Sequence, residues 1–588
     1  MCAVALSPLD AISLGDAVVE FVAGRHMNQA SPTNEEAILG EPLNLPGESV
    51  DGPFLPNLRS WIWVALAFGV LTRSVRYFLQ FPLWEDECFL CVSIFKRGFA
   101  GLLHPLEYHQ VAPGLFLWLE KVTTLAFGYN ELALRLVPFV CSIASLFLFY
   151  HLVSRLILGT ARLICVTLFA VSYPGIRYAA EAKQYATDLL ASLVLVVFLV
   201  EWLRRPSQHK WLLALVLWCP LAIGLSYPSV FTAGAVSFIL FVVILRRKIR
   251  GVWTWWIAFN AAMGVALLAT FWFVIRHQMS SELGFMSDYW SGAFPPRNSF
   301  FGFIKWFVLT HTGALFAHPA GDDRGGSVVT TILAVLGMVF FFRRRRGWVA
   351  ALLLAPLSLH FLAALLERYP YGGHVKFSMY FAPMVYLFMG VGIAFLVANQ
   401  AKKKPLKVVA RTTLIVLAVI SAIGIASMIR DVLSPYKSSS DMRARAFARS
   451  FWYSARFEDE AVDIKDDLGY EFSEGTWRDL SWSAMYLANK YIYAPAGPPD
   501  KPRPLRCLLY RDPLKDFDQV AFDEWLAQMQ AKYPYLGCDV FPQPRMSSRD
   551  RRLVTIDYIE VYKFVLPTED NSDDYGPADA EGASTSTL

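Results

Sequence analysis

Charge is scarce in this sequence. Only 18% of the 588 residues are Asp, Glu, Lys or Arg, against about 25% in an ordinary soluble chain. The eight cysteines are scattered and show no zinc-finger spacing, which argues against a metal-stapled fold. No internal repeat is visible, and that speaks against the inverted-repeat plan of many transporters. The opening stretch MCAVALSPLDAISLGDAVVEFVAG has apolar patches broken by acids and no basic start, so no secretory signal is expected. The formal net charge of +5 is small. No nucleic-acid partner is expected, and the meaning of the charge lies in where it sits.

Apolar length is what the sequence has instead. Hydrophobic residues make up 55% of the chain, and a membrane span needs about 20 of them in a row. Eleven candidate spans follow: 60–81, 132–153, 162–175, 185–203, 211–224, 226–245, 252–275, 327–342, 348–366, 376–397 and 411–430. Residues 1–58 are polar and rich in Pro, Glu, Asn and Gly, and they read as a disordered arm. The expected fold class is therefore an α-helical polytopic membrane protein of about eleven spans.

Lys and Arg in short connections set orientation. Arg155 and Arg162, then Arg204, Arg205 and Lys210, then Arg246 to Arg250, then Arg343 to Arg346, then Lys402 to Lys404 mark five connections. Placing all five in the cytoplasm lets the spans alternate without contradiction. The arm is then cytoplasmic, and the stretch WEDE (84–87), the loop 276–326, the segment ERYPYGGHVK and everything after residue 431 lie outside. The segment APGLFLWLEKVTTLAFG (112–128) carries Glu120 and Lys121 in its middle and reads as a helix in the outer interface. Residues 300–318 look similar. Beyond 431 charges return. DQVAFDEWLAQMQAKY has helical spacing, and RPLRCLLY and LVTIDYIEVYKFVL read as strands. The expectation is an extracytoplasmic α/β domain over 432–566, with a disordered tail over 567–588. Cys507 and Cys538 would share its oxidising side and could form one disulfide.

The chemistry-bearing residues cluster on that outer edge. Glu85, Asp86 and Glu87 follow a long apolar run, and acids at a membrane edge are functional candidates, although a wet loop would hold them as well. Glu181 and Tyr185 in EAKQY are four apart and share a helix face if the helix has begun there. Arg177, Lys183, Arg368, His374 and Lys376 are cations on the side that the charge rule disfavours, so they ask for an anionic partner. Gly372 and Gly373 let a backbone come close to a ligand. His109 stands between the acids and the interfacial helix. Carboxylates, cations and tyrosines from three distant segments fit transfer of a group from an anionic, lipid-anchored donor, with a carboxylate taking the proton of an acceptor hydroxyl and cations holding the departing phosphate.

These motifs resemble those of the GT-C membrane glycosyltransferases, in particular the family-39-like group of protein O-mannosyltransferases, aminoarabinose lipid A transferases and their relatives. The Asp-Glu pair of the first outer loop matches Asp86-Glu87. The Pro-aromatic interfacial helix with a following Gly and Arg matches PGLFLWLEKVTTLAFG and YNELALRLVP, with Gly128 and Arg135. The Glu-x-x-x-Tyr pattern matches Glu181 and Tyr185, and the late loop matches ERYPYGGHVK. The resemblance covers roughly residues 60–400. It departs at Lys183, where relatives often have Arg, and beyond 431, where no β-trefoil insert is found. It implies a polyprenyl-phosphate sugar donor and inversion by direct displacement. Asp86 would be the base or would orient the acceptor, assisted by Glu87 and Glu181. Lys183, Arg368, His374 and Lys376 would hold the phosphate, with His109, Arg177 and Tyr185 also at the substrates. The acceptor stays open between lipid, glycan and protein. No cofactor is called for, and a divalent metal is left open. A bacterial inner membrane is the expected setting. The rivals are a transporter and, from the CxxC spacing of Cys88 and Cys91, a thiol oxidoreductase.

Overall fold

The computed structural model describes residues 38–44, 55, 57–106, 110–278, 290–319, 327–401, 405–433, 502–511, 517–546 and 553–566. His109, residues 434–501 and the tail after 566 lie outside them. Two compact units emerge: one from residues within 1–80, 99–126 and 132–432, the other from 81–98, 127–131 and 433–588.

In the first unit all eleven expected spans are helical. Seven are long and apolar enough to cross a membrane unaided. The others fall short for separate reasons. Leu58–Phe78 has 21 residues but carries Arg59, Arg73 and Arg76. Lys210–Leu225 and Ser327–Arg343 have only 16 and 17 residues. Gly159–Ala170 and Tyr173–Ala180 form one stretch bent by 51°. Gly114–Phe127 and Phe300–His311, with 14 and 12 residues, are too short to span. They leave Leu119, Val122, Leu125, Phe127, Phe300, Phe301 and Phe307 exposed, as helices lying in an interface do.

Close packing at the centre comes from small residues. A Cβ on Gly337 would come within 1.9 Å of Phe388 O, and one on Gly392 within 1.9 Å of Leu333 O. Helices Ser327–Arg343 and Ala382–Ala401 therefore meet backbone to backbone, the usual means of helix association in lipid. The segment Val375–Asn399 is accordingly 94% buried, whereas Arg250–Gln278 is 17% buried and turns its apolar face outward.

The 51° bend has an identifiable cause. Pro174 has no N–H to continue the helix, and Ser172 caps the new start by accepting from the Gly175 N–H. The bend frees carbonyls inside the bundle, and such groups need partners there. Arg73, fully buried, supplies them. Its Nη1 donates to Gly69 O and Ala170 O, both at 2.9 Å, and its Nη2 to Phe169 O at 3.2 Å. Its Nε donates to Ser142 Oγ at 2.9 Å, and Ser142 in turn donates to Gly175 O at 3.1 Å.

The arm expected to be disordered contributes structure at its end. Ile38 and Leu39 are buried, and both of their N–H groups donate to Leu203 O. Leu43 N–H donates to Leu156 O, Leu158 N–H donates to Leu43 O, and Arg346 donates to Leu39 O. This strap forms because helix ends leave carbonyls without intrahelical donors. It brings three of the five basic connections to one end of the bundle.

In the second unit, Glu85–Lys96 is a helix, with Tyr129 OH donating to Cys91 O at 2.7 Å. Strands β1 (Arg503–Arg511), β2 (Tyr535–Met546) and β3 (Leu553–Leu566) form an antiparallel sheet in the order β1-β3-β2. Pro542 and Pro544 are tolerated because β2 is an edge. Helix Gln519–Lys532, capped by Asp518, lays Phe522 and Trp525 against Tyr562. The disulfide expectation is corrected: Cys507 and Cys538 are not joined by a disulfide. Each lies opposite Tyr562, on either side of β3. Two strand spacings of roughly 4.8 Å put their backbones beyond the ~7 Å that a disulfide can bridge.

Candidate active site

Two distant segments build one cavity in the first unit. The turn after the bend supplies Tyr173, Pro174, Arg177 and Tyr178, the segment before Val375–Phe381 supplies His374 and Val375, and Ala317 closes the wall. The cavity measures about 50 Å³, room for a small polar group.

The late loop reaches this cavity through its glycines. Gly372 and Gly373 have φ of +85° and +73°, a conformation open chiefly to glycine. A Cβ at Gly372 would stand 2.5 Å from Thr310 Cγ2. The pair thus serves the fold of the loop, which turns His374 inward. His374 Nδ1 accepts from the Lys376 N–H at 3.2 Å, starting the helix, and stands 3.5 Å from Tyr178 OH. With Nδ1 accepting, a neutral ring carries its proton on Nε2.

Arg177 is the central cation. Its Nη1 donates to Tyr173 OH at 3.3 Å, and its Nε pairs with Glu181 Oε2 at 3.4 Å. Its side chain keeps 23% of its surface exposed while Glu181 keeps 5%. Tyr173 OH donates to Asp431 Oδ1 at 2.9 Å, and Asp431 Oδ2 pairs with Arg76 Nε at 3.0 Å. Arg430 lies 5.7 Å over the Tyr173 ring.

The other expected residues divide. Tyr185 packs on Tyr178 at 4.9 Å, and Lys376 Nζ lies 5.9 Å from the Tyr185 ring and 5.1 Å from the Trp290 ring. Lys183 is buried and donates to Gln110 Oε1 at 2.5 Å. Arg368 is exposed and does not line the cavity. Asp86 and Glu87 belong to the second unit, in the first turn of Glu85–Lys96. Glu87 is buried, and its Oε2 accepts from the Trp84 N–H at 3.0 Å. It thus serves the helix start, where a carboxylate also suits the helix dipole. Asp86 is half-buried one position earlier. Sequence reasoning missed Tyr173, Tyr178, Arg76 and Asp431. The rule that singled out WEDE, an acid at the end of a span, would have found Asp431. Among the described residues no group of three or more His, Cys, Asp or Glu side chains is placed to hold a metal ion.

The comparison with protein families finds a glycosyltransferase model that matches part of the chain. Residues 111–273 match the model of the dolichyl-phosphate-mannose-protein mannosyltransferases. That range contains Arg177, Glu181, Lys183 and Tyr185; Asp86, Glu87, Arg368, His374 and Lys376 lie outside it. Among solved structures, ArnT from Cupriavidus metallidurans in the apo state is similar at 12% identity and TM-score 0.46, over 85% of this chain and 98% of that one. The same protein bound to undecaprenyl phosphate gives 12% identity and TM-score 0.44 over the same shares. The Archaeoglobus fulgidus oligosaccharyltransferase in the apo form gives 11% and 0.42, over 72% of this chain and 64% of that one. No curated protein matches the chain.

Proposed function

We propose that the protein is a GT-C-type enzyme that transfers a sugar from a polyprenyl-phosphate donor to an acceptor on the extracytoplasmic face of the membrane, with inversion. The observation that carries this reading is the convergence of Arg177, paired with Glu181, and His374 on one cavity from segments nearly 200 residues apart in sequence (Tyr178 to His374, 196 positions). A cation with a planar fork of donors and a ring N–H suit a phosphate monoanion or diester. The matched family's name refers to a lipid-phosphate sugar, which supports the donor class. The strap that gathers three basic connections supports the proposed sidedness, because positive connections favour the cytoplasm.

In this mechanism the acceptor hydroxyl oxygen bonds to the anomeric carbon as the bond from that carbon to the phosphate oxygen breaks. The hydroxyl proton passes to a carboxylate base, a role for which the sequence resemblance names Asp86, and the lipid phosphate leaves with both electrons of the broken bond, held by Arg177 and His374. For a phosphate acceptor there is no proton to remove, and Asp86 orients the acceptor. Lys183, bonded to Gln110, and Lys376, over the Tyr185 and Trp290 rings, add positive charge to the segments that carry Arg177 and His374. Lipid, glycan and protein acceptors are distinguished by assay.

The test uses full-length protein and a radiolabelled polyprenyl-phosphate sugar with membrane lipids as acceptor source. Asp86→Asn is expected to lower transfer by about 10²–10⁴-fold, the usual worth of a general base, while Glu85→Gln has little effect. Equal transfer by wild type and Asp86→Asn would leave the three acids as a helix start and no more.

A further inference from the structure

Asp431 is an acid in the last turn of helix Leu406–Leu433, the last of the expected spans, and it is 3% exposed. A buried carboxylate at that depth needs partners. It has two, from different helices: Arg76 of helix Leu58–Phe78, at 3.0 Å, and the Tyr173 hydroxyl, at 2.9 Å. The second is the informative one. A hydroxyl has one proton. With that proton directed at Asp431, the oxygen's lone pairs face the Arg177 guanidinium, whose Nη1 donates to it at 3.3 Å. Glu181 takes Nε on another side, at 3.4 Å. Two of the guanidinium's nitrogens are thus fixed by groups that do not move with a ligand.

We infer that Asp431 is a positioning residue. Through the Tyr173 hydroxyl it holds the Arg177 fork at the cavity, so that helix Leu406–Leu433, which contributes nothing to the cavity lining, sets the affinity for the lipid phosphate. This deepens the proposed function and rests on it. The energetic reason is preorganisation: a long flexible side chain that is already ordered loses less freedom on binding. A purely structural use of Asp431, as counter-ion to Arg76, would need neither the Tyr173 hydroxyl nor its orientation.

Tyr173→Phe separates the two uses. It keeps the ring beneath Arg430 and leaves Asp431 with Arg76, so the fold is retained. It removes the link to Arg177. The experiment measures binding of radiolabelled undecaprenyl phosphate to detergent-solubilised full-length protein, with the thermal midpoint recorded for each variant. Arg177→Met is expected to lose most binding. Tyr173→Phe is expected to bind about tenfold more weakly, as loss of one hydrogen bond to a charged group implies, with an unchanged midpoint. Asp431→Asn should weaken binding in the same direction. Adding Tyr173→Phe to Arg177→Met should change nothing further, since the two act through one guanidinium. Wild-type binding by Tyr173→Phe, alongside lost binding by Arg177→Met, would overturn the inference and leave the site reading intact. An additive effect in the double variant would overturn it too. Wild-type binding by Arg177→Met, or no binding by the wild type, would bring down the site reading and the inference with it.

Discussion

Arg73 and Arg177 sit in the same helical unit, and each is surrounded by protein, but their partners differ in kind. Arg73 meets three carbonyls and a serine, all neutral and all fixed by the bent helix and its neighbours. Arg177 meets a carboxylate and a phenol and keeps part of its surface open to a cavity. A guanidinium fully engaged by backbone acts as a staple. One held along an edge, with surface left over, can take an anion. Burial alone does not separate the two; the chemistry of the partners does.

The sharpest way to break this comparison is Arg73→Met. Phe169 O and Ala170 O would lose their donor inside the bundle, and each unmade hydrogen bond costs about 1–3 kcal/mol. The expected loss is at least ~3 kcal/mol in thermal or denaturant unfolding, with the turn carrying Arg177 disordered in consequence. An unchanged midpoint would show that the bend holds itself. Arg177→Met should do the reverse: an intact fold and a tenfold or larger drop in lipid-phosphate affinity. Glu87→Gln probes the acid turn in the same way. It should weaken the helix start by roughly 0.3–1 kcal/mol and lower transfer by a smaller factor than Asp86→Asn; a larger loss than Asp86→Asn would move the base to Glu87. The smallest effect is expected at Cys538. Burial, reinforced by Glu560, raises the Cys538 pKa above its ordinary value. Its thiolate is therefore the minor form at pH 8, and the fraction falls further as pH falls, so alkylation by iodoacetamide should be slow and steeply pH-dependent. Electrophoretic mobility should be the same with and without reductant.

The helices were legible because a twenty-residue apolar run has few other physical solutions in one chain. Even the short pieces, Lys210–Leu225 and Phe300–His311, followed from local hydropathy. Strand Leu553–Leu566 followed from a β-branched and aromatic run, and Arg503–Arg511 from a short apolar one. Strand β2 did not, because Gly537, Pro542 and Pro544 interrupt its pattern and its register is set only by pairing with β3. The cations Arg177, His374 and Lys376 were visible because the expected topology puts each on the side that the charge rule disfavours. Asp431 and Tyr173 were not picked out. The rule for acids at the end of a span was not carried as far as Asp431, and a Tyr before a Pro is ordinary in sequence; what joins them is a contact across 258 positions. The glycines at 372 and 373 were found for the wrong immediate reason, since their own loop requires them before any ligand does.

The strap near the N-terminus bears on the order in which the molecule is assembled. Its last latch, from Arg346 to Leu39 O, joins positions 307 apart, and the groups that hold Leu43 and Leu39 lie at 156 and 203. As the chain emerges from the ribosome, the strap's partners appear one at a time: first the end of Glu131–Leu156, then the end of Tyr185–Arg204, and much later Arg346. The last latch therefore forms only after eight of the eleven expected spans have emerged, and it works as a late seal rather than a scaffold. A chain halted before residue 346 would leave Gly40 and its neighbours open to protease, so cleavage there is a readout of unfinished insertion.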